Sequence, residues 1–243
     1  MKKNKKIYEG KAKILYTTDD PSLLIQYFKD DATAFDATKK GTIINKGIYN
    51  NQIAAKVFEF LEKNGIETHF VKLLNDREML VKKVEILPIE VTIRNVVAGG
   101  MSKLLGLEEG IRLDAPVLEY HYKKDALHDP LINDSHILVL KLSTKEELDI
   151  IKKQTFKIND LLCKFFGERN LDLVDFKLEF GRYSGDGKTR ILLSDEISPD
   201  TCRLWEKGTG KRLDKDRFRR DLGNIEEAYQ EVLNRVLNTK NPA

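Results

Sequence analysis

The stretch Leu171-Asp-Leu-Val-Asp-Phe-Lys-Leu-Glu-Phe-Gly181 alternates apolar and charged residues over most of its length. Successive side chains of a strand point to opposite faces. Val174, Phe176, Leu178 and Phe180 therefore share one face, and Asp175, Lys177 and Glu179 the other. The spacing predicts a half-buried strand whose outer row is wholly charged. A second strand, Arg190-Ile-Leu-Leu-Ser-Asp-Glu196, follows the turn signal Ser184-Gly-Asp-Gly-Lys188. With residues 185–189 as the loop, the centre is Gly187, and Glu179 falls opposite Asp195. Opposed Cβ atoms lie roughly 4.5–5.5 Å apart, where like charges repel. A divalent cation would relieve the repulsion, and Mg2+ takes one or two carboxylates beside substrate phosphates. A solvated sheet face, with Lys177 offsetting the acids, satisfies the same pattern.

On the N-terminal side of this hairpin, Ser143-Thr-Lys-Glu-Glu147 offers a capping box for a helix running to about Phe166. Leu148, Ile151, Ile158, Leu162 and Phe165 form its apolar stripe, and Gly167 ends it. On the C-terminal side, a loop holds Asp200, Arg203 and Trp205. Asp214-Lys-Asp-Arg-Phe-Arg219 then leads to a final helix from about Asn224, with Ile225, Tyr229, Val232 and Val236 toward the core.

Toward the N-terminus, Ile7–Tyr16 reads as a hairpin turning near Gly10, and Leu23–Lys29 as a third strand. Glycine at a hairpin tip lets backbone N–H groups approach phosphate, and Lys11 and Lys13 add charge; an ordinary basic turn would look the same. Asp30–Asp36 and Lys39–Gly47 read as polar loop with solvated lysines. The helix Ile48–Lys63 follows, stopped by Asn64-Gly65. His69 reads as structural. Glu78–Val84 and Pro88–Arg94 read as strands joined at Leu87-Pro88, a place where a proline is tolerated. That connector exposes backbone groups suited to an adenine edge, or is a plain turn. Asn95-Val-Val-Ala-Gly-Gly-Met-Ser102 beside Arg94 suits an anion site, or a left-handed turn before a short helix Lys103–Leu105. Residues 108–142 read as irregular, with Tyr120–Pro130 as a binding loop. His121, His128 and His136 do not have zinc spacing.

The composition bounds the function. The 243 residues allow one large domain or two lobes, and 41% hydrophobic residues supply a sizeable core. The net charge of +3 is spread along the chain rather than gathered in a basic stripe, so no nucleic-acid partner is expected. Cys163 and Cys202 make no disulfide framework, and a reducing cytoplasm is the expected setting. The basic start Met1–Lys6 leads into no apolar segment, so no signal peptide is expected. No run approaches the length of a membrane span.

Five blocks also carry a resemblance: Glu9–Lys13; Pro88–Arg94 with Ala98-Gly99; Val174–Gly181; Asp195–Trp205; and Asp214–Arg219. In this order they closely resemble the SAICAR synthetase family of purine biosynthesis. The resemblance runs essentially end to end. It implies an α+β fold of two lobes, with a kinase-like N-terminal antiparallel sheet (residues 1–86), a larger lobe (residues 87–243) and ATP in the cleft between them. The implied reaction joins L-aspartate to the carboxylate of carboxyaminoimidazole ribonucleotide (CAIR). ATP is split to ADP and phosphate, through an acyl phosphate, with Mg2+ as cofactor. The family is often oligomeric, so a homo-oligomer is expected.

By resemblance, Gly10, Lys11, Ala12 and Lys13 cover the ATP phosphates, and Lys82 and Val84 lie at the adenine-side connector. Glu179 and Asp195 hold Mg2+. Arg94 and Arg203 clamp the CAIR phosphate with Arg219 nearby, while Asp175 and Lys177 line the CAIR side of the strand. Asp36, Lys123, Asp129 and Asp200 are further site residues, one of whose carboxylates orients or deprotonates the aspartate amine. One departure stands out. Relatives commonly carry serine where this chain has Gly100, so either the Gly100 N–H or the Ser102 hydroxyl must serve instead. A kinase-like phosphotransferase would need Glu179 and Asp195 but not the arginine pair. A non-catalytic nucleotide-binding module would need no turnover.

Overall fold

Antiparallel sheets dominate the described residues, 2–34, 38–185 and 187–238, of a computed structural model of the chain; Asp36 lies outside them. The chain enters through β1 (Lys6–Glu9), β2 (Lys13–Thr17) and β3 (Leu23–Phe28), then the hairpin β4 (Asp31–Ala34) and β5 (Lys39–Thr42). α1 (Lys46–Lys63) leads to β6 (Phe70–Asn75), β7 (Glu78–Lys82) and β8 (Glu85–Val96). α2 (Gly100–Leu105) precedes β9 (Arg112–Tyr122), β10 (Leu131–Ile132) and α3 (Asp134–Val139). After α4 (Lys145–Gly167) come β11 (Leu171–Tyr183), β12 (Arg190–Ser194), β13 (Cys202–Glu206), α5 (Asp216–Arg219) and α6 (Ile225–Leu237). The fold is α+β.

One sheet has the order β1-β2-β3-β7-β6. A second has the order β10-β9-β8-β11-β12, with β13 pairing the opposite end of β11, and β4-β5 form a two-stranded third. β11 is the axis of the second sheet, because it pairs with β8, β12 and β13. Its inner row is as the alternation predicts: Val174, Phe176, Leu178 and Phe180 are buried. Each such side chain contributes roughly 1.5–3 kcal/mol of burial. α4 lies across this inner face, started by a reciprocal Thr144–Glu147 capping box. A single apolar cluster runs from Phe28 and Phe58 under the first sheet to Phe176 and Phe165 under the second. Among the described residues no helix is long and apolar enough to cross a membrane.

Several expectations are corrected. Glu179 pairs with Ser194, not Asp195. The hairpin centre thus lies half a residue earlier than Gly187. Leu87-Pro88 is inside β8 rather than at a join; the break between sheets is at Lys83-Val84. Pro88 is tolerated because the β8–β11 ladder is bulged there, between Gly181↔Ile86 and Glu179↔Glu90. The segment 108–142 contains β9, whose Pro116 lies in the bulge beyond the regular Ile89–Arg94 pairing. β4 and β5 replace a polar loop. Lys46, expected in solvent, opens α1 with only 1% of its side chain exposed.

Candidate active site

The outer row of β11 places three kinds of charge in sequence. At one end is the acidic pair. Glu179 sits on β11 and Asp195 directly follows β12. Strict alternation would turn Asp195 away from Glu179, but its backbone is left-handed, φ 66°. That conformation interrupts the strand's alternation, and the two carboxylates interact electrostatically. Burial, then the charge of Asp195, pushes the Glu179 carboxyl up to about 7. Asp195 moves the other way: against burial, the Lys13 ammonium holds it below the usual carboxylate range.

Two lysines answer these acids. Lys13, at the start of β2, ion-pairs with Asp195 and lies 2.9 Å from Glu196 Oε1. Lys123, just after β9, ion-pairs with Glu179. Burial opposes charge on both, yet their carboxylate partners raise both ammonium groups above the ordinary lysine value. Lys11 reaches Asp125 at 3.3 Å and ties the β1–β2 turn to the 123–130 loop. Within that turn Gly10 N–H donates to Lys13 O at 2.8 Å, and Ala12 O accepts from Lys29 N at 2.8 Å. Asp129 accepts from Lys124 N at 2.7 Å and so shapes its own loop.

The connector between the sheets runs behind this end. Lys82 Nζ donates to Thr68 O at 3.0 Å. Val84 packs on β11 where residue 181 is glycine; a Cβ there would sit 2.6 Å from Val84 Cγ2. His69 is buried near Asp195, and its N–H donates to Leu193 O at 2.8 Å. Burial takes its imidazole down to about 4, so it is neutral.

At the other end, Asp175 lies between Arg94 on β8 and Arg203 on β13 in paired register. Arg94 Nη1 donates to Asp175 Oδ2 at 2.5 Å, and Arg203 Nη1 to the same oxygen at 2.8 Å. Glu119 accepts from Arg94 Nε at 3.0 Å. Asp216 accepts from Arg203 Nε at 2.9 Å and from Arg219 Nη1 at 2.6 Å. Arg94, Arg203 and Arg219 thus form one alternating chain with three carboxylates. Burial opposes charge on Arg203, but Asp175 and Asp216 raise its guanidinium further above neutrality. Between the two ends, Lys177 ion-pairs with Glu90 on β8.

The Gly99-Gly100 turn lies against the arginines. Gly99 has φ 56° and ψ −120°, and a Cβ there would overlap the Arg203 guanidinium, 2.7 Å from Cζ. This is a conformation and a contact that only glycine accepts. Gly100 is different: a Cβ would meet only Arg94 Nη2, at 3.7 Å. The Ser102 hydroxyl donates to Leu107 O at 2.7 Å, closing the end of α2. Asp200 is buried, bonded by Lys46 Nζ at 2.7 Å and by the Tyr229 hydroxyl at 2.7 Å.

The sequence reading missed Glu196, Glu90, Glu119, Asp216 and Lys46 as neighbours of this site. Two had a usable signal. Glu119 occupies the β9 position facing Thr92, diagonal to Arg94, and Asp216 belongs to a block already singled out. Asp36 falls outside the described residues.

The chain matches the family described as SAICAR synthetase over residues 6–236. A phosphoribosylaminoimidazole-succinocarboxamide synthase of Clostridium acetobutylicum is 57% identical over 97% of this chain and 99% of its own length. The crystal structure of the corresponding enzyme from Ehrlichia chaffeensis superposes with a TM-score of 0.93 at 49% identity, covering 96% of this chain and 98% of that one. A SAICAR synthetase solved in complex with ADP gives a TM-score of 0.91 at 46% identity, over 97% and 99% of the two chains. With the family match and these relatives covering nearly its whole length, the chain belongs to the SAICAR synthetase family.

Proposed function

We infer that the charged face of β11 is where this chain joins L-aspartate to the carboxylate of CAIR, with ATP split to ADP and phosphate, in purine biosynthesis. The observation that carries the site assignment is the spacing along one strand. The arginine pair at Asp175 and the acidic pair at Glu179 are four residues apart, roughly 13 Å at the usual strand rise. A ribonucleotide laid along β11 puts its phosphate on Arg94 and Arg203 and its reacting carboxylate at Glu179 and Asp195. A phosphotransferase acting on an acceptor without a phosphate would have no use for the arginine end.

The donors suit Mg2+. Glu179 and Asp195 are oxygen ligands only, in a like-charge pair that raises one of them, and an oxygen-only pair completed by phosphate is what Mg2+ takes. When bound, the ion neutralises phosphate charge during phosphoryl transfer. Lys13 and Lys11 reach the phosphate side from the β1–β2 turn, and Lys82 and Val84 flank the base from the connector. Lys123 holds Glu179 in place. Lys177 faces the middle of the CAIR molecule, and Arg219, through Asp216, keeps Arg203 extended. Phosphorylation turns a poor electrophile, the CAIR carboxylate, into an acyl phosphate that the aspartate amine can attack. The work of the protein is then positioning and charge stabilisation. For this chemistry residues 1–86 serve ATP and residues 87–243 serve CAIR. Exposed Leu104, Leu105 and Ile111 near the arginine end support a homo-oligomer, and two unpaired cysteines suit a reducing cytoplasm.

The test is ADP release by the purified protein with Mg-ATP and CAIR, with and without L-aspartate, alongside mass detection of product. Aspartate-dependent ADP with the succinocarboxamide mass is expected. Sustained ADP release indifferent to aspartate, with no amide product, would favour the phosphotransferase.

A further inference from the structure

The ligase reading leaves one substrate without a seat. L-Aspartate carries two carboxylates, and the arginines at Asp175 are assigned to a phosphate. Behind the acidic pair, the Ser198–Thr201 turn, the start of α1 and the residues leading into α5 close around Asp200. Its Oδ2 is bonded by Lys46 and its Oδ1 by Tyr229. Asp200 is thus satisfied by one cation and one hydroxyl. A second cation stands beside it. Lys215 Nζ is 3.9 Å from Asp200 Oδ2, beyond hydrogen-bonding distance. Among the described residues no hydrogen bond from this ammonium is present. Only 14% of the side chain is exposed.

Among the described residues the other carboxylates nearby are engaged, and buried Asp214 accepts from the N–H groups of Leu204 and Asp216. Glu196 accepts from the Ser198 hydroxyl and lies 2.9 Å from Lys13 Nζ. Asp216 is held by Arg203 and Arg219. Among the described residues, Lys46 and Lys215 therefore share one carboxylate within ion-pair distance, Asp200. Burial lowers the Lys215 ammonium despite Asp200, and Arg219 and Lys46 add to the depression. A buried cation with spare donors and repelling neighbours is a site for an anion. Its backbone is fixed: Lys215 N–H donates to Pro199 O at 3.1 Å, and its carbonyl accepts from Arg219 N at 3.0 Å. One residue into α5, Asp216 leads to the arginine row. Glu196, which acts electrostatically on Lys215, leads to Lys13 and Asp195. Lys215 is thus next in the chain to a carboxylate of the arginine row and within electrostatic reach of one that pairs with Lys13. Phe218 of α5 packs against Ala32 of β4 and Ile43, just after β5, which anchors the short helix.

We propose that Lys215 binds a carboxylate of L-aspartate, in a subsite walled by the Ser198–Thr201 turn, the start of α1 and α5. This rests on the ligase reading, and deepens it by giving the amino-acid substrate its place. Lys46 supports the subsite indirectly: it takes the hydrogen bond to Asp200 Oδ2, so Lys215 is held to that carboxylate by charge alone, at 3.9 Å, with its N–H donors spare.

The test compares two nucleophiles on the full-length enzyme. L-Aspartate needs its carboxylates recognised. Hydroxylamine has none, and attacks the same acyl phosphate: its nitrogen bonds the carbonyl carbon, the carbon–oxygen bond to phosphate breaks, phosphate leaves and the nitrogen loses a proton. In Lys215→Met the KM for L-aspartate should rise about ten- to a hundredfold. The KM values for ATP and CAIR, and hydroxamate formation from hydroxylamine, should stay within about twofold of wild type. An unchanged aspartate KM, or hydroxamate formation falling in step with amide formation, overturns the assignment. Should Lys215→Met fail to fold, Lys215→Arg keeps the charge and moves it; a rise confined to the aspartate KM supports the subsite, and no rise refutes it. Failure of the wild-type enzyme to use either nucleophile would instead count against the ligase reading.

Discussion

Glu179→Gln should stabilise the protein while abolishing its activity. In the fold this carboxyl is pushed up to about 7 by burial and by Asp195, from an ordinary 4.5. A group whose folded value is raised favours the protonated form. The stability it contributes is complete below about pH 4.5 and is lost as the pH rises through about 7. At about 1.4 kcal/mol per pH unit the loss reaches on the order of 3 kcal/mol by pH 8.5. Glutamine imitates the protonated carboxyl and cannot ionise. At pH 8.5 the ionised wild-type carboxylate keeps its ion pair with Lys123 and the variant does not, so the expected gain is about 2 kcal/mol, or roughly 4–8 °C in Tm for a chain of this size. At pH 5 the gain should nearly vanish. The assay is thermal melting of both proteins across pH 5–8.5 in a chelator, repeated with Mg2+ and ADP. Mg2+ with ADP should raise the wild-type Tm and leave the variant almost unmoved, and kcat should fall at least about a hundredfold. A variant no more stable than wild type at pH 8.5 would refute the claim that this carboxylate is held at a cost to the fold. Undiminished kcat at saturating Mg2+ would remove it from the metal site.

Arg203→Ala should raise the KM for CAIR at least about tenfold while leaving that for ATP within about threefold; equal losses would argue against a phosphate role. Asp175→Asn leaves Arg94 and Arg203 facing each other without their shared carboxylate, and should lower stability by about 3 kcal/mol, measured by urea unfolding. CAIR should restore part of that loss by supplying an anion. Gly99→Ala forces a Cβ into the Arg203 guanidinium at a positive φ, and should cost about 1–3 kcal/mol with a rise in the CAIR KM. Gly100→Ser meets only ordinary contact with Arg94, so it should fold with Tm within about 2 °C of wild type and lower the CAIR KM; a large loss of stability would show that the turn has no room.

What could be read from the sequence follows from what is local. The β11 alternation was legible because it is strict over seven residues and one face is wholly apolar. The α4 cap was legible because Thr144 and Glu147 are three residues apart. The Glu179–Asp195 pairing was read as direct opposition, whereas Ser194 is the partner and a left-handed Asp195 brings the second carboxylate near. No residue pattern marks that backbone twist in a non-glycine position. β9 was hidden because Pro116, Glu119 and His121 read as a loop, and only pairing with β8 makes them a strand. Lys46 was assigned to solvent because its partner, Asp200, is 154 residues away. Buried ion pairs of high sequence separation leave no local trace.

The same property connects these misses to the function. The charges that were missed are buried (Glu196, Asp216, Lys46) or half-buried (Glu90, Glu119), and burying a charge costs several kcal/mol unless it is paired and hydrogen-bonded. Arg94, Arg203 and Arg219 are each held by carboxylates of the protein itself, as are Lys13, Lys46 and Lys123. Pairing fixes their geometry before a substrate arrives, so a phosphate or carboxylate meets donors already aimed and loses little entropy in ordering them. Glu179 and Lys215 depart from this rule: one is a carboxylate kept close to another, the other an ammonium that makes no hydrogen bond among the described residues. Lys123 answers only part of the charge of the Glu179–Asp195 pair, and Lys215 shares Asp200 with Lys46. Neutral side chains would suit stability alone better at both positions, and two such charges in one charged cleft are the physical reason to place chemistry there.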